Sequence, residues 1–339
     1  MRLGIIGLPK SGKTTVFETL THNFSASRSG MESRIGTISV PDERVDVLSA
    51  MYEPKKTIFA QVEYFLPGKG ENGRERIWNR VRDCDALVHV VRNFATCGKQ
   101  ISKTSDDFRQ LDQELILADQ IVVEKRLDNL SLEKKRGRKI DSLEVALLER
   151  CLANLEEETP LRRVPELASD RVLKGFTFLS AKPTLVLFNN GDNDASTPAT
   201  GDTVERERCL AIRGKLEHEI TQMAAKDAAD FLQEYHIEML AADRIVEESY
   251  KLLGLVSFFT VGEDEVRAWT IKRETAAVDA AETIHSDMKR GFIRAEVLSY
   301  DDLMEAGSYR EARKRGTVRL EGKSYAVKDG DIVNFRFNV

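Results

Sequence analysis

A short apolar run, Leu3-Gly4-Ile5-Ile6, leads into Gly7-Leu8-Pro9-Lys10-Ser11-Gly12-Lys13-Thr14, and residues 13–20 then carry a helical pattern. This is GxxxxGKT set between a strand and a helix, and few folds can hold it. The glycines let the loop wrap closely enough for backbone N–H groups to converge on phosphate oxygens. Lys13 is expected to reach the β- and γ-phosphates, and the Thr14 hydroxyl to ligate Mg²⁺. The helix that follows offers its positive end to the anion. The expected phosphate-binding residues are therefore Gly7, Lys10, Ser11, Gly12, Lys13, Thr14 and Thr15. A coincidental glycine turn would not need the strand before it and the helix after it.

Two further apolar runs, residues 86–91 (ALVHVV) and 184–188 (TLVLF), are short, partly β-branched and separated from the first by helical segments. That alternation predicts an α/β fold, a mostly parallel sheet covered by helices. Ligands bind such sheets at the carboxyl ends of the strands. There the third run ends in Asn189-Asn190-Gly191-Asp192, which fits the NxxD template of GTPases. In that template the carboxylate accepts hydrogen bonds from two guanine N–H groups. Asn189 and Asp192 are the base-side candidates.

Between the second and third runs, Phe108, Leu111, Leu115, Ala118 and Val122 step by three and four residues, one apolar helix face. A basic turn follows at 134–139 (KKRGRK), then a second stripe of Leu148, Cys151, Leu152 and Leu155. The pattern predicts either a projecting antiparallel hairpin or two surface helices of the α/β domain. Residues 191–201 read as a loop and 204–253 as helical. After Gly254, strands are expected at 255–261 and 267–271, a helix at 276–290, and strands at 293–297, 324–327 and 332–337. This is a β-grasp-like pattern. The expected domains are 1–105 with 175–254, a helical insertion at 106–174, and 255–339.

The chain has 339 residues and a formal net charge of −5, which gives no general attraction to nucleic acid. Cys84, Cys97, Cys151 and Cys209 are scattered without a CxxC pair and read as reduced thiols. No two of the five histidines have ligand spacing. No run reaches membrane-spanning length, so a cytoplasmic protein with neither membrane nor DNA as partner is expected.

Several stretches carry a family resemblance. GLPKSGKTTVFETLT, VPDERVDVLSAMYEPKK, DALVHVVRNF and ELILAD resemble the Obg-like ATPase (YchF) family, and so do FFTVGEDEVRAWTIKRET, IHSDMKRGFIRAEVLSYDDL and LEGKSYAVKDGDIVNFRFNV. The resemblance covers nearly the whole chain. It implies a P-loop NTPase G domain, an inserted α-helical coiled-coil hairpin and a C-terminal β-grasp (TGS) domain. It also implies hydrolysis of ATP in preference to GTP, and association with the ribosome. Lys215, in Arg213-Gly214-Lys215, stands where the family has a Ser-Ala-Lys-like element, and is expected to pack on the base. Ribosomal RNA contacts are expected from the TGS domain, with Lys289-Arg290 and Arg313-Lys314-Arg315, and from the hairpin tip.

The chain departs from the family at its switches. Where the family has DxxG inside a stretch like VEFVDIAGLVKG, this chain reads QVEYFLPGKG over residues 61–70. Gly68 remains and the Asp is absent. Glu63 is too early on the strand, and Glu71 lies in the loop beyond. The first switch, 25–37, is trimmed, and Thr37 falls at a different offset from the family's metal-facing threonine. Asp192 replaces the glutamate of the family's NxxE, and Asn190 is not the lysine usual in GTPases. These features predict weakened Mg²⁺ ligation and slow or absent hydrolysis, with no catalytic residue assigned. Three readings stay open: a slow ATPase or GTPase cycling on the ribosome, a nucleotide-occupied adaptor without a cycle, and an RNA-binding protein with an empty P-loop.

Overall fold

The apolar run before the glycine loop forms strand β1 (Arg2–Ile6), whose last four residues are all buried. The computed structural model describes residues 1–22, 32–68, 74–95, 104–199, 204 and 206–338. These group into two units, Met1–Ile38 with Glu63–Ile245, and Ser39–Val62 with Val246–Val339. The expected boundary at 254 lies just past the helix Ala241–Leu253, within which the two units divide.

The first unit is built on a sheet in which β1 lies between β4 (Gln61–Leu66) and β5 (Ala86–Asn93). Beyond β4 is β2 (Arg34–Ser39), and beyond β5 are β6 (Thr184–Asn190) and β7 (Arg208–Ile212). The pairs β1–β4, β1–β5, β5–β6 and β6–β7 are all parallel. All seven residues of β6 are buried, as expected of an inner strand with helices on both faces. Strand β7 corrects the continuous helical reading of 204–253. Its sequence, RCLAI, carries no turn residue and is too short for a periodicity to declare itself. Pairing with β6 decides its conformation.

Helix α4 (Thr104–Lys135) combines the two readings offered for the hairpin. Near its start Phe108 packs with Val91, Val186 and Phe188. Leu111 and Leu115 pack with Ile6, Phe65 and Leu87. Farther along, Val123 and Leu130 meet Leu147, Leu148, Cys151 and Leu155 of α5 (Ser142–Glu156). One helix is thus anchored on the sheet at its base and paired with α5 beyond it. Val123, not Val122, is the fully buried residue at that turn. Arg126 holds Glu144 through two hydrogen bonds, of 2.7 and 3.0 Å, and Asp141 caps α5.

The second unit has a sheet ordered β11 (Arg319–Glu321), β10 (Phe292–Ser299), β12 (Asp331–Phe337), β8 (Leu255–Thr260), β9 (Glu265–Lys272), β3 (Lys56–Ile58). The β8–β9 hairpin is antiparallel, and β12 lies parallel to β8. The helix Ala277–Ile284 covers one face, where Ala277, Ala280 and Ala281 pack on Phe258, Val297 and Phe335. Hairpin, covering helix and a parallel central strand make the β-grasp arrangement. Two expectations fail here. Residues 324–327 are not a strand, since only Ala326 bridges to Ala276, and the edge strand is β11. The expected helix 276–290 breaks at His285, which is extended and caps the short helix Ser286–Arg290. Helix α2 (Glu43–Tyr52) and β3 also belong to this unit. No helix among the described residues is long and apolar enough to cross a membrane.

Candidate functional site

The loop leaving β1 is bent by left-handed conformations at Lys10 (φ 66) and Gly12 (φ 97). A Cβ at Gly12 would be strained and would collide with Asn189 Nδ2, while one at Gly7 would sit 2.5 Å from the Val90 carbonyl oxygen. Both positions therefore need glycine. Lys13, the first residue of α1 (Lys13–Thr21), turns back so that Nζ donates to the carbonyls of Gly7 (2.7 Å) and Leu8 (2.8 Å). No side chain caps α1, so its first-turn N–H groups are left for another acceptor. Ser11 is 2% exposed, and its Oγ has no hydrogen-bond partner among the described residues. Open helix N–H groups, an orphan hydroxyl and an adjacent ammonium form a cradle for an anion. Thr14 is exposed and lines the cavity beside the cradle, and Thr15 continues the helix, its carbonyl accepting from the Thr19 hydroxyl.

At the end of β6, Asn189 ties this cradle to the next loop. Its Nδ2 donates to the Ser11 carbonyl at 3.0 Å, and its Oδ1 accepts from Gly214 N at 3.1 Å. Gly214 opens the helix Gly214–Ile220, and its bare Cα fits against Asn189, where a Cβ would fall 2.6 Å from Oδ1. Fully buried Glu217 holds that helix start by accepting from Arg213 N and the Arg244 guanidinium, both at 3.2 Å. Lys215 Nζ then lies 3.7 Å from the Asp192 carboxylate. Of the three base-side candidates, Asp192 and Lys215 thus stand together at the surface, while buried Asn189 holds the two loops. Asn190 has a different task. It is buried, accepts from Asn93 Nδ2 at 2.9 Å and donates to the carbonyls of Asp194 and Ser196. It shapes the loop that follows β6. The missed signal was an amide at the buried end of an inner strand.

The switch side is less polar. Strand register places Glu63 opposite Arg2, at the end of β1 away from the cradle, where the two form an ion pair at 3.1 Å. At the cradle end, β4 finishes in buried Leu66, followed by Pro67 and Gly68. Pro67 and Gly68 line a cavity of about 550 Å³ together with Lys13, Thr14, Trp78 and Glu114. Glu114 comes from α4 and had no role in the sequence reading. Thr37 is exposed on β2 and does not line this cavity. Residues 25–31 of the first switch, Glu71 and Cys97 lie outside the described residues.

Among the described residues, no three His, Cys, Asp or Glu side chains cluster as a metal cage. Mg²⁺ beside phosphates does not need one, because it takes few protein oxygens and keeps several waters. Thr14 fits that role, whereas the end of β4 offers no carboxylate. His89 is no ligand. Burial, reinforced by the Arg162 and Lys13 charges, pushes its pKa down to about 3, and its ring stacks on Phe108 at 5.1 Å. Burial pushes the thiols of Cys84, Cys151 and Cys209 up to about 11, so they are poor nucleophiles near neutral pH.

Comparison with known proteins follows the same lines. Residues 255–338 match the YchF-GTPase_C family model, described as a protein of unknown function. The whole chain is 35% identical to the Ribosome-binding ATPase YchF of Bacillus subtilis, covering 99% of each chain. It is 33% identical to the protein of the same name from Escherichia coli O157:H7, covering 100% of this chain and 99% of that one. The solved structure of the Schizosaccharomyces pombe YchF GTPase superposes with a TM-score of 0.83 at 25% identity, covering 99% and 97% of the two chains.

Proposed function

Because the chain belongs to the YchF family, we propose that it binds a purine nucleoside triphosphate at the 7–14 loop, hydrolyses it slowly and associates with the ribosome. The cradle carries this reading: two obligatory glycines, the orphan Ser11 hydroxyl, uncapped helix N–H groups and Lys13 all belong to one short loop and the helix start after it. On phosphate binding, Lys13 exchanges its two carbonyl partners for phosphate oxygens. The Thr14 hydroxyl is the cradle's own oxygen for Mg²⁺, which when bound neutralises charge on the phosphates. Slow turnover is inferred from the apolar end of β4, where Leu66 and Pro67 offer no carboxylate to order the metal shell or the attacking water. In this reading 1–105 with 175–254 form the nucleotide domain, 106–174 the insertion and 255–339 the TGS domain of a cytoplasmic protein.

ATP is the preferred ligand in this proposal, since the two bacterial relatives named above are called ATPases. The Asp192 carboxylate beside Lys215 favours a second reading, in which it accepts from a guanine edge. The ribosome contact is assigned first to the hairpin tip. Lys134, Lys135, Arg136, Arg138 and Lys139 are all exposed and form no ion pair among the described residues. In the C-terminal region, by contrast, Arg313 and Lys314 already pair with Glu296 and Glu311, and Lys289 with Asp279 and Glu282.

Equilibrium binding of ATP, GTP and their diphosphates, with and without Mg²⁺, followed by turnover on the same sample, tests the proposal. Tighter ATP than GTP binding, lost in Lys13→Ala, with slow turnover is the expected result. Absence of binding overturns it. GTP preference that disappears in Asp192→Ala selects the guanine reading.

A further inference from the structure

The cavity beside Lys13 and Thr14 lacks the acidic group that β4 would supply in a P-loop hydrolase, yet it is not without a carboxylate. Glu114 lines it, and is the one acidic side chain among the described residues that does. Its placement is determined by packing. Leu111, one turn earlier, and Leu115, the next residue, are buried against Ile6, Phe65 and Leu87. Leu8 of the glycine loop packs on the same cluster. These contacts hold this turn of α4 against the end of β1, from which the loop starts. Glu114 is half-buried and lines the same cavity as Lys13, Thr14, Pro67 and Gly68.

We propose that Glu114 supplies the acidic group of the divalent-cation shell that β4 no longer provides. This rests on the nucleotide-binding reading above and deepens it. The Glu114 carboxylate and the Thr14 hydroxyl line one cavity, and together they would hold a divalent cation that accompanies the phosphates. The carboxylate accepts hydrogen bonds from the cation's waters and offsets its charge. Without a cation, the same carboxylate repels the phosphates. Glu114 therefore has opposite effects on metal-bound and metal-free nucleotide, which a purely structural residue does not.

The test uses the full chain and Glu114→Gln, which keeps the shape and removes the charge. ADP and ATP affinities are measured by calorimetry in excess chelator and in excess Mg²⁺, and Mn²⁺ affinity of the protein–ADP complex by electron paramagnetic resonance. In Glu114→Gln, Mn²⁺ affinity is expected to fall by about tenfold or more, the usual effect of losing an outer-shell partner. Metal-free nucleotide affinity is expected to be unchanged or higher, and Glu114→Asp to recover part of the loss. Equal Mn²⁺ affinity in both proteins overturns the proposal. So does a parallel fall in metal-bound and metal-free affinity, or nucleotide binding by the wild-type chain that is indifferent to metal. In those three outcomes the nucleotide-binding reading survives. Only a wild-type chain that binds no nucleotide at all removes both.

Discussion

At the scale of single residues, the cradle depends on atoms that are absent as much as on those present. Gly12→Ala would need a Cβ in a left-handed backbone, against Asn189 Nδ2. It is expected to abolish nucleotide binding, as read by calorimetry, while the rest of the first unit keeps its circular dichroism. Asn189→Ala is a subtler probe. It leaves the Ser11 carbonyl and the Gly214 N–H, both buried, without their partner, at a cost of about 1–3 kcal/mol for each group left unsatisfied. Faster amide exchange at both loops and weaker nucleotide binding are expected together; weaker binding with unchanged exchange would contradict the bridging role. His89 gives a pH prediction. Its folded-state pKa of about 3 lies below the ordinary 6.5, so between these values the unfolded chain takes up a proton that the folded chain does not. Its contribution to stability is complete above about pH 6.5 and is lost as pH falls, by up to about 1.4 kcal/mol per pH unit. Urea unfolding of the first unit at pH 7 and pH 5 should show a smaller acid loss in His89→Leu than in the parent. An equal loss in both would mean that other groups set the acid limb.

At the scale of elements, the two proposals made for α4 place two functions on one rod. Glu114 and the basic tip at Lys134 are twenty residues apart on a helix that rises about 1.5 Å per residue, so about 30 Å separates them. Lys134→Glu, Arg136→Glu and Arg138→Glu together are expected to reduce ribosome co-sedimentation strongly, with the effect greatest at low salt, and to leave nucleotide affinity unchanged. Co-sedimentation that survives the reversal would move the contact away from the tip. The same helix shows what a sequence displays and what it hides. The glycine loop was legible because its constraints are local: a strand, two forced glycines and a helix start within a dozen residues. The Phe108 to Ala118 stripe was legible as a helix face, but which partner it meets was not. Leu111 serves the sheet and Leu130 serves α5, and both obey one periodicity. Glu114 was hidden for a related reason, since only the fold brings it to Lys13, about a hundred positions earlier. Strand β7 was missed because five residues, without glycine or proline at their ends, take their conformation from β6.

At the scale of the whole molecule, the C-terminal sequence blocks look self-sufficient, and the family match begins at residue 255. The second compact unit nevertheless includes residues 39–62. Within it, Val45 and Leu48 of α2 are fully buried. Arg44 bridges Asp42 and Asp329 at 2.8 Å each and lies over the Phe259 ring at 5.0 Å. Strand β3 pairs with β9, and so covers what would otherwise be an open sheet edge. Nothing local in residues 39–62 announces this, because Asp42 and Asp329 are far apart in sequence. A fragment of residues 246–339 would lose both helix α2 and the edge strand β3. It would expose the apolar surface under Val45 and Leu48 and leave Asp329 without Arg44. Such a fragment is expected to unfold at lower temperature than the same unit in the full chain and to self-associate, as followed by calorimetry and size-exclusion chromatography. Adding a peptide of residues 39–62 should raise its Tm in a concentration-dependent way, as any ligand of the native state does. A monomeric fragment as stable as the parent unit, and indifferent to the peptide, would show that the C-terminal module is complete in itself and that α2 and β3 only rest on it.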